Sequence, residues 1–272
     1  MLMRKIPISV SCYNNEDEII LFAKMLKKQK NLENLVLLVT VNAAKSINKL
    51  TTQLKRIKID SHIYEPQINL GYLHGCIYGL KKYGSRNDYD WAFISNTDIK
   101  FEQNDFFLKF QNKIFDKSIW CVAPNVILDN SKKPQNPFLY TRLKKNKVFM
   151  YKTIYNSIFL FVPFMLLAKI KNKLITIQNS KIYLKNIYAA HGSGLFLHKK
   201  CIQELVKNND PIFMYGEEVL IAEIIYENCK KVYYYDEIKF QHYANKVTSL
   251  LKSKMVQKFF SDSFNYIYKR FY

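Results

Sequence analysis

The chain has 272 residues, of which 49% are hydrophobic and 15% aromatic, and a composition of this kind excludes a disordered or fibrous protein. Its length allows one large core or two modest ones. The formal net charge of +20 predicts an anionic partner, namely nucleic acid, an anionic membrane face or a phosphorylated substrate. Five cysteines stand singly without a CxxC pair, which favours reduced thiols in a cytoplasmic protein over disulfides or a zinc site.

Strands and helices alternate through residues 1–125. Predicted strands cover residues 6–12, 35–41, 59–64, 90–95 and 119–123. The helices between them begin near Glu16, Ile47, Gly71 and Asp105, and the first of these has acids in its first turn and lysines at its end, as the helix dipole favours. This alternation predicts an α/β fold with a parallel or mostly parallel central sheet flanked by helices.

The composition changes in the segment 131–190, which has twelve Lys or Arg and no Asp or Glu. Within it, residues 158–168 form an apolar run that contains Pro163 and is flanked by Lys152, Lys169, Lys171 and Lys173. The run is shorter than the roughly 18 residues that a spanning helix needs, and we expect no signal peptide before the first strand. Basic flanks around a short apolar helix favour an anionic membrane interface, and the alternative is a core helix beside a basic substrate groove.

From residue 191 the pattern is that of a globular domain again. We predict a strand over 195–197, helices over 200–207 and from Glu217, and two short strands over 232–235 and 238–242. Residues 246–272 predict one or two basic amphipathic helices, whose apolar positions are Leu250, Leu251, Met255, Phe259, Phe260, Phe264 and Ile267. We therefore expect one domain over 1–245, with an insert at 131–190, followed by a helical tail.

Polar side chains recur at the ends of the predicted strands. They are Tyr13-Asn14-Asn15, Asn96-Thr97-Asp98, the Gly216-Glu217-Glu218 turn and His242. In an open α/β sheet, ligands bind at the carboxyl ends of the strands, and an Asp there can hold a divalent cation. Each feature also has a purely structural interpretation: Asp98 would cap a turn, the two glutamates would stabilise a helix dipole, and His242 would be a packed side chain.

The ordered set resembles the family 2 GT-A glycosyltransferases, in particular bacterial rhamnosyltransferase-like enzymes of polysaccharide assembly. The resemblance covers residues 6–245. The matching runs are Ile8-Ser9-Val10-Ser11-Cys12-Tyr13-Asn14, Asn69-Leu70-Gly71-Tyr72 with Gly75 and Gly79, Ser95-Asn96-Thr97-Asp98, Gly192-Ser193-Gly194-Leu195-Phe196-Leu197, Phe213-Met214-Tyr215-Gly216-Glu217-Glu218, and His242. The basic, apolar insert is also similar to segments of membrane-associated members.

This resemblance implies a GT-A, Rossmann-like fold and an inverting transfer from a nucleoside-diphosphate sugar to a glycan or lipid-linked acceptor. Residues 1–125 would bind the donor, and residues 191–245 would bind the acceptor and carry the catalytic residues. Asp98 and His242 would hold Mg2+ or Mn2+ against the diphosphate. Asn96 stands where a second carboxylate is common, which weakens the expected metal site. Glu218 would be the general base, and Glu217 would orient the acceptor or the base.

The resemblance also places residues beside the donor. Tyr13 and Asn14 would line the nucleotide-base pocket, Asn69 and Gly71 would lie beside the nucleotide, and Ser11, Asn96 and Thr97 belong to the same donor-binding set. The chain departs from the family at Val41, where an Asp that binds the nucleotide usually stands. Base recognition would then depend on Asn42 or on backbone groups, or would differ from the usual pattern.

The chemistry is consistent with these residue types, because transfer needs the diphosphate charge neutralised and a base near the acceptor hydroxyl. We expect a cytoplasmic enzyme, peripheral on the inner face of the cell membrane, that does not bind nucleic acid. The alternatives are a basic nucleic-acid-binding protein, a nucleotidyltransferase on a similar sheet, and a catalytically inactive membrane scaffold. Against the nucleotidyltransferase, Tyr13-Asn14-Asn15 is followed by acids instead of a Gly- and Lys-rich phosphate loop.

Overall fold

The predicted strands of the first half lie side by side in one sheet. The computed structural model describes residues 4–129, 132–174, 185–243 and 253–272. Within these residues the strands are β1 (Ile6–Tyr13), β2 (Leu35–Ala43), β3 (Ser61–Tyr64), β4 (Trp91–Ser95), β5 (Ile99–Phe101), β6 (Ile119–Leu128), β7 (Asn186–Ile187), β8 (Gly194–His198) and β9 (Lys231–His242). Their order in the sheet is β3-β2-β1-β4-β8-β6-β9-β5, and β7 pairs with β9.

Most of the sheet runs in one direction, as the alternation predicts. Strands β3, β2, β1 and β4 are parallel neighbours, and β9 is parallel to β6. Strand β8 is antiparallel to both of its neighbours, β4 and β6, so β6 and β9 run in the same direction as β4. The amino end of β8 therefore lies at the same edge of the sheet as the carboxyl ends of β1, β4 and β9. The α/β fold class is confirmed.

Helices cover both faces of the sheet. They are α1 (Glu16–Leu26), α2 (Ile47–Ile57), α3 (Leu73–Gly84), α4 (Phe106–Asn112), α5 (Lys145–Asn156), α6 (Ile158–Leu174), α7 (Lys199–Asn208), α8 (Glu217–Glu227) and α9 (Ser253–Phe271). One core contains buried side chains of α1, α2 and α4, and the other those of α3, α7, α8 and α9. Parallel strands covered on both faces are apolar throughout, and the buried residues of β2 show this.

Several element boundaries differ from the sequence-based expectation. Strand β5 was not predicted, and β6 continues to Leu128 instead of ending at residue 123. The two short strands predicted over 232–242 are one strand, β9, with an irregularity: Pro124 of β6 pairs with Tyr235, and Asn125 pairs with Lys239. Helix α3 begins at Leu73 and not at Gly71, because Gly71 has a left-handed backbone, with φ of +73°.

A buried ion pair joins the insert, α8 and the C-terminal helix. Glu223 of α8 is fully buried, and Arg142 donates from Nε to its two carboxylate oxygens at 3.2 and 3.0 Å. The Arg142 guanidinium lies 4.6 Å from the ring centres of both Tyr226 and Tyr272. The hydroxyl of Tyr272 donates to Glu223, and Arg142 Nη2 donates to the Phe271 carbonyl at 3.0 Å. The end of α9 is thereby fixed to the helix that begins with Glu217 and Glu218.

The helices in the described residues of the insert are α5 and α6. No single helix in the described part of the chain is long and apolar enough to cross a membrane, although α5 and residues 158–168 together meet the length and composition, with a bend of 113° between them. Residues 175–184 of the insert and 244–252 of the tail, including Leu250 and Leu251, lie outside the described residues. The predicted domain boundary at residue 245 stays a prediction.

Candidate active site

Asp98 and His242 meet at the carboxyl-terminal edge of the sheet. Asp98 lies in the turn between β4 and β5, and His242 is the last residue of β9. Because β5 and β9 are antiparallel neighbours with Ile99 opposite His242, the two side chains come together, with Asp98 Oδ1 3.5 Å from His242 Nε2. The backbone reinforces this contact, since Tyr243 N donates to the Asp98 carbonyl at 2.9 Å.

The His242 ring is contacted from two sides. Its Nδ1 lies 2.8 Å from Oε1 of Gln135, and its Nε2 lies 3.4 Å from Nδ2 of Asn96. Asn96 is held in place through its backbone N–H, which donates to the Ser193 carbonyl at 2.9 Å. Asp98 and His242, the two side chains predicted to hold the metal, and Asn96, predicted for donor binding, are therefore neighbours in space.

The side chains of Asp98 and His242 fit a divalent cation whose remaining ligands would be substrate oxygens or water. Within the described residues, no group of three or more His, Cys, Asp or Glu side chains is close enough together to hold a metal ion. Asp98 and His242 supply one carboxylate and one imidazole, 3.5 Å apart. Donors about 2.1 Å from a six-coordinate ion lie roughly 3 Å from one another, so this spacing needs little adjustment. Two protein ligands and several open positions suit an ion that also binds a diphosphate.

Glu217 and Glu218 open helix α8, directly after Gly216 in a left-handed conformation with φ of +89°. Gly192 N donates to Glu218 Oε1 at 3.3 Å, whereas Oε2 of Glu217 is buried without a hydrogen-bond partner among the described residues. Burial, followed by the adjacent Glu218 charge, raises the pKa of Glu217 to about 8, and burial also raises the pKa of Glu218. Both carboxyl groups therefore resist ionisation, and Glu217, whose Oε2 has no hydrogen-bond donor among the described residues, resists it more strongly than Glu218.

The segment 191–193 connects the two carboxylate sites. The His191 ring packs edge-on against His242 with centroids 5.5 Å apart. Gly192 lies against the glutamates: a Cβ there would be 3.1 Å from Glu218 Oε1 and 3.2 Å from Glu217 Oε1. The Ser193 carbonyl accepts from Asn96, as described above. The metal-site residues and the acidic pair thus lie on either side of one short segment that precedes β8.

Tyr72 also belongs to this site. Its hydroxyl donates to the Gly192 carbonyl at 2.7 Å. Burial raises the pKa of Tyr72 well above its usual range, and negative charge on Glu217, Glu218 and Asp98 adds to the effect. The phenol therefore stays neutral and holds the Gly192 carbonyl.

Sequence reasoning gave Tyr72 and His191 no role, although Tyr72 and the Gly192-Ser193-Gly194 run were noted as motifs. Burial, followed by the neighbouring His242, lowers the pKa of His191 to about 3, so its ring is neutral. The small residues before a predicted strand are a signal for close backbone approach, and they could have drawn attention to the segment 191–193. For Gln135 we find no such signal.

Several predicted donor-binding residues build the loop 69–71. Asn42 Nδ2 donates to Ser11 Oγ at 2.7 Å and to the Gly71 carbonyl at 2.8 Å, and Asn42 Oδ1 accepts from Leu70 N at 2.9 Å. Asn69 Oδ1 accepts from Gly71 N at 2.9 Å. Gly71 must be glycine here, because a Cβ would lie 2.0 Å from the Phe213 carbonyl oxygen in addition to its positive φ. The amide group of Asn42 thus makes hydrogen bonds that hold the loop 69–71 against Ser11.

The other predicted donor contacts lie at the end of β1 and at the tip of β4. Tyr13 is 51% exposed, and Asn14 has φ of 56° with its N–H donating to the Ala43 carbonyl. The Thr97 hydroxyl donates to Glu18 Oε2 at 3.2 Å and accepts from Asn15 Nδ2 at 2.9 Å, so it faces α1. Contact of Tyr13, Asn14 and Thr97 with a nucleotide stays a prediction.

No protein-family model and no curated protein sequence matches the chain. Its fold is similar to solved glycosyltransferase structures. One is the mannosyltransferase PcManGT from Pyrobaculum calidifontis in complex with GDP-Man and Mn2+, with a TM-score of 0.58 and 11% identity over 90% of this chain and 59% of that one. GalNAc-T7 with UDP, GalNAc and Mn2+ has a TM-score of 0.60 and 10% identity over 97% of this chain and 48% of its own.

A third similar structure is S. aureus TarS 1-349 in complex with UDP-GlcNAc, with a TM-score of 0.55 and 13% identity over 91% of this chain and 61% of that one. The chain therefore spans between about half and three fifths of the length of these three structures. At such low identity the likeness establishes a shared GT-A fold.

Proposed function

We propose that this chain is a glycosyltransferase that moves a sugar from a nucleoside-diphosphate sugar to a glycan or lipid-linked acceptor in cell-surface polysaccharide synthesis, as rhamnosyltransferase-like enzymes do. The observation that carries the proposal is the segment 191–193, which lies between the Asp98–His242 pair and the Glu217–Glu218 pair. The similar structures hold GDP-mannose or UDP-GlcNAc on the same fold, which supports a nucleotide-sugar donor.

Mg2+ or Mn2+ bound to Asp98 and His242 would supply the positive charge that neutralises the leaving diphosphate. Two of the similar structures contain Mn2+, which supports a divalent cation. Asn96 would donate from its amide to a sugar or phosphate oxygen, because an amide is a weaker metal ligand than a carboxylate. The loop 69–71, which Ser11 and Asn42 hold, would position the nucleotide.

Glu218 would act as the general base. Glu218 is assigned as the base because the Gly192 N–H donates to its Oε1 and stabilises its negative charge, whereas Oε2 of Glu217 is buried without a donor among the described residues. It would take the proton from the acceptor hydroxyl, whose oxygen bonds to the anomeric carbon while the bond from that carbon to the diphosphate breaks. The diphosphate leaves from the opposite face, so the anomeric configuration inverts. Glu217, as a neutral acid, would donate a hydrogen bond to the acceptor.

A thermal shift panel of nucleoside-diphosphate sugars, each with and without Mn2+, tests the proposal. We expect one donor to raise the melting temperature by mass action in a Mn2+-dependent manner, and the shift to disappear in Asp98→Ala. Gln241→Leu is a suitable control, because Gln241 lies next to His242 in β9 but is bonded to Glu102. The proposal would be refuted if no nucleotide or nucleotide sugar stabilised the protein under either condition.

We further propose that the protein is peripheral on an anionic membrane surface, such as the cytoplasmic face of the cell membrane, through one face of α6. This face is apolar and exposed, and it consists of Phe159, Leu160, Val162, Pro163, Leu166 and Leu167, of which Phe159 is 87% and Leu167 65% exposed. The opposite side of α6 packs inward through Phe161, which is buried. Exposed lysines at 144, 145 and 147 begin α5 nearby in the chain, and the insert contains no acid.

Charge complementarity favours anionic lipid as the occupant of this face. We expect co-sedimentation with phosphatidylglycerol vesicles that weakens with salt and is lost in the double variant Phe159→Ser, Leu167→Ser. Ile114→Ser is the matched control, since Ile114 is 95% exposed but lies outside the insert. Equal binding to neutral phosphatidylcholine vesicles, or unchanged binding of the double variant, would contradict the proposal.

A further inference from the structure

Gln135 reaches the candidate metal site from a segment that is held firmly on both sides. After β6 the chain turns back along its own strand: Ile127 pairs with Pro134, and Gln135 N donates to the Val126 carbonyl at 2.8 Å. The next residue, Asn136, is buried, and its Nδ2 donates to the Pro124 carbonyl at 2.8 Å. These contacts fix the backbone of Gln135, and its side chain extends to Nδ1 of His242 at 2.8 Å.

This contact decides which nitrogen of His242 carries the hydrogen. An amide oxygen only accepts hydrogen bonds, so Nδ1 opposite Oε1 of Gln135 must be protonated. A neutral imidazole has one N–H, which leaves a lone pair on Nε2. The surroundings of Nε2 agree, because in this tautomer Nε2 can accept from the amide nitrogen of Asn96, which lies 3.4 Å away. A bound cation would take the same lone pair and leave the Asn96 amide to a substrate oxygen. The opposite tautomer would direct an N–H at Asp98 and would have no lone pair for a cation.

We propose that Gln135 is a positioning residue that holds His242 in the Nδ1–H tautomer and directs the Nε2 lone pair to the space beside Asp98 and Asn96, where a divalent cation binds. The proposal rests on the metal role of His242 in the proposed function. Histidine ligands of metals commonly donate their other N–H to a partner that fixes the ring, and loss of that partner typically weakens metal affinity 10- to 100-fold. Here the partner is a neutral amide on the segment that follows β6.

The tautomer can be measured without any metal or substrate. Long-range proton–nitrogen correlation spectra of 15N-histidine-labelled protein at about pH 8, well above the ordinary histidine pKa of about 6.5, distinguish the two neutral forms. The His242 signals are assigned with His242→Gln. We expect the Nδ1–H form in the natural protein and in Gln135→Glu, which keeps an acceptor oxygen, and a shift toward the Nε2–H form in Gln135→Leu. A predominant Nε2–H form in the natural protein, or no change in Gln135→Leu, would overturn the proposal.

The consequence for the cation is measured by titrating Mn2+ alone and following its electron paramagnetic resonance signal. We expect about 10- to 100-fold weaker binding in Gln135→Leu, nearly unchanged binding in Gln135→Glu, and unchanged binding in the control Gln241→Leu. If His242→Ala weakens binding and Gln135→Leu does not, the positioning role is wrong. If neither His242→Ala nor Asp98→Ala changes the affinity, the metal role in the proposed function fails, and the metal-free spectra still decide whether Gln135 sets the tautomer.

Discussion

Glu217 and Glu218 are adjacent carboxyl groups, yet we expect opposite responses to the same substitution. Glu218→Gln keeps the size of the side chain and an oxygen for the Gly192 N–H, but the amide cannot take a proton. A general base typically contributes about 10²- to 10⁴-fold, which corresponds to about 3–5 kcal/mol of transition-state stabilisation, so transfer should fall by that factor. Glu217→Gln should lose less than about tenfold, because Glu217 already holds a proton near neutral pH and an amide replaces a neutral acid.

The assay does not require the acceptor to be known. The donor selected by the thermal shift panel is incubated with each variant, and release of the nucleoside diphosphate is followed with water as the acceptor. Donor binding and melting temperature of Glu218→Gln should match the natural protein, which separates a lost base from a disturbed fold. Equal losses in the two variants, or a larger loss in Glu217→Gln, would refute the assignment of the base.

The pH dependence of stability provides an independent test of the same pair. The pKa of Glu217 is raised to about 8 in the folded protein, against about 4.3 for an ordinary glutamate in the unfolded chain. The folded state therefore retains a proton that the unfolded state has lost. The contribution of Glu217 to the free energy of unfolding is at its maximum below about pH 4. It falls as the pH rises toward about 8 and is constant above that. In urea unfolding measured over this pH range, Glu217→Gln should remove much of this decline. If the natural protein and Glu217→Gln had identical pH profiles of stability, Glu217 would not be the protonated member of the pair.

Three further predictions concern residues around the site. Asp98→Ala should abolish the Mn2+ dependence of nucleotide binding in calorimetry, and metal-independent affinity in the natural protein would contradict the cation role. Glu223→Ala should lower the free energy of unfolding by about 3 kcal/mol. This is the low end for a broken buried ion pair, because the Arg142 side chain is 34% exposed and its charge can be hydrated. Unchanged urea unfolding would show that the ion pair does not stabilise the fold. Gly71→Ala should destabilise by more than the roughly 1–2 kcal/mol of a left-handed backbone, because the new Cβ meets the Phe213 carbonyl oxygen. A melting temperature equal to that of the natural protein would contradict that clash.

Local sequence patterns predicted the elements of the first half well. Strands β1, β2 and β3 are neighbours in the sheet as well as along the chain, and short crossover helices connect them. Apolar runs and helix-start signals, such as the acids at Glu16, depend only on nearby residues. The position of β8 between β4 and β6 depends on pairing between segments that are distant in sequence, and no local pattern encodes it. The short β5 was missed because its three residues directly follow the polar tip that contains Asp98.

The same distinction explains which site residues could be predicted. Asp98, Glu217 and His242 stand at the ends of elements, so the rule that ligands bind at strand ends selected them as candidates, and the family resemblance supplied their expected roles. Gln135 is an isolated polar residue in a basic segment, and its role depends on the chain turning back along β6. The amide of Asn42, one of the alternatives for base recognition, makes hydrogen bonds to Ser11, Leu70 and Gly71, and its contact with a nucleotide stays a prediction. Specific hydrogen-bond partners of this kind come from the tertiary fold.

The antiparallel strand β8 explains how one edge of the sheet can carry both the Asp98–His242 pair and the proposed base, Glu218. In a fully parallel sheet, the residues before a strand lie at the edge opposite the ligand site. Because β8 is reversed, the residues before it lie at the ligand edge, where Ser95 pairs with Gly194 and the Ser193 carbonyl accepts from Asn96. Gly192 then extends past this edge to the start of α8, where a Cβ would lie 3.1 Å from Glu218 Oε1 and 3.2 Å from Glu217 Oε1, so glycine allows a close approach to both glutamates. The reversed strand therefore brings Glu218, the proposed base, to the same edge as Asp98 and His242, the proposed ligands of the cation that would neutralise the departing diphosphate, which is the spatial relation that the proposed single displacement needs.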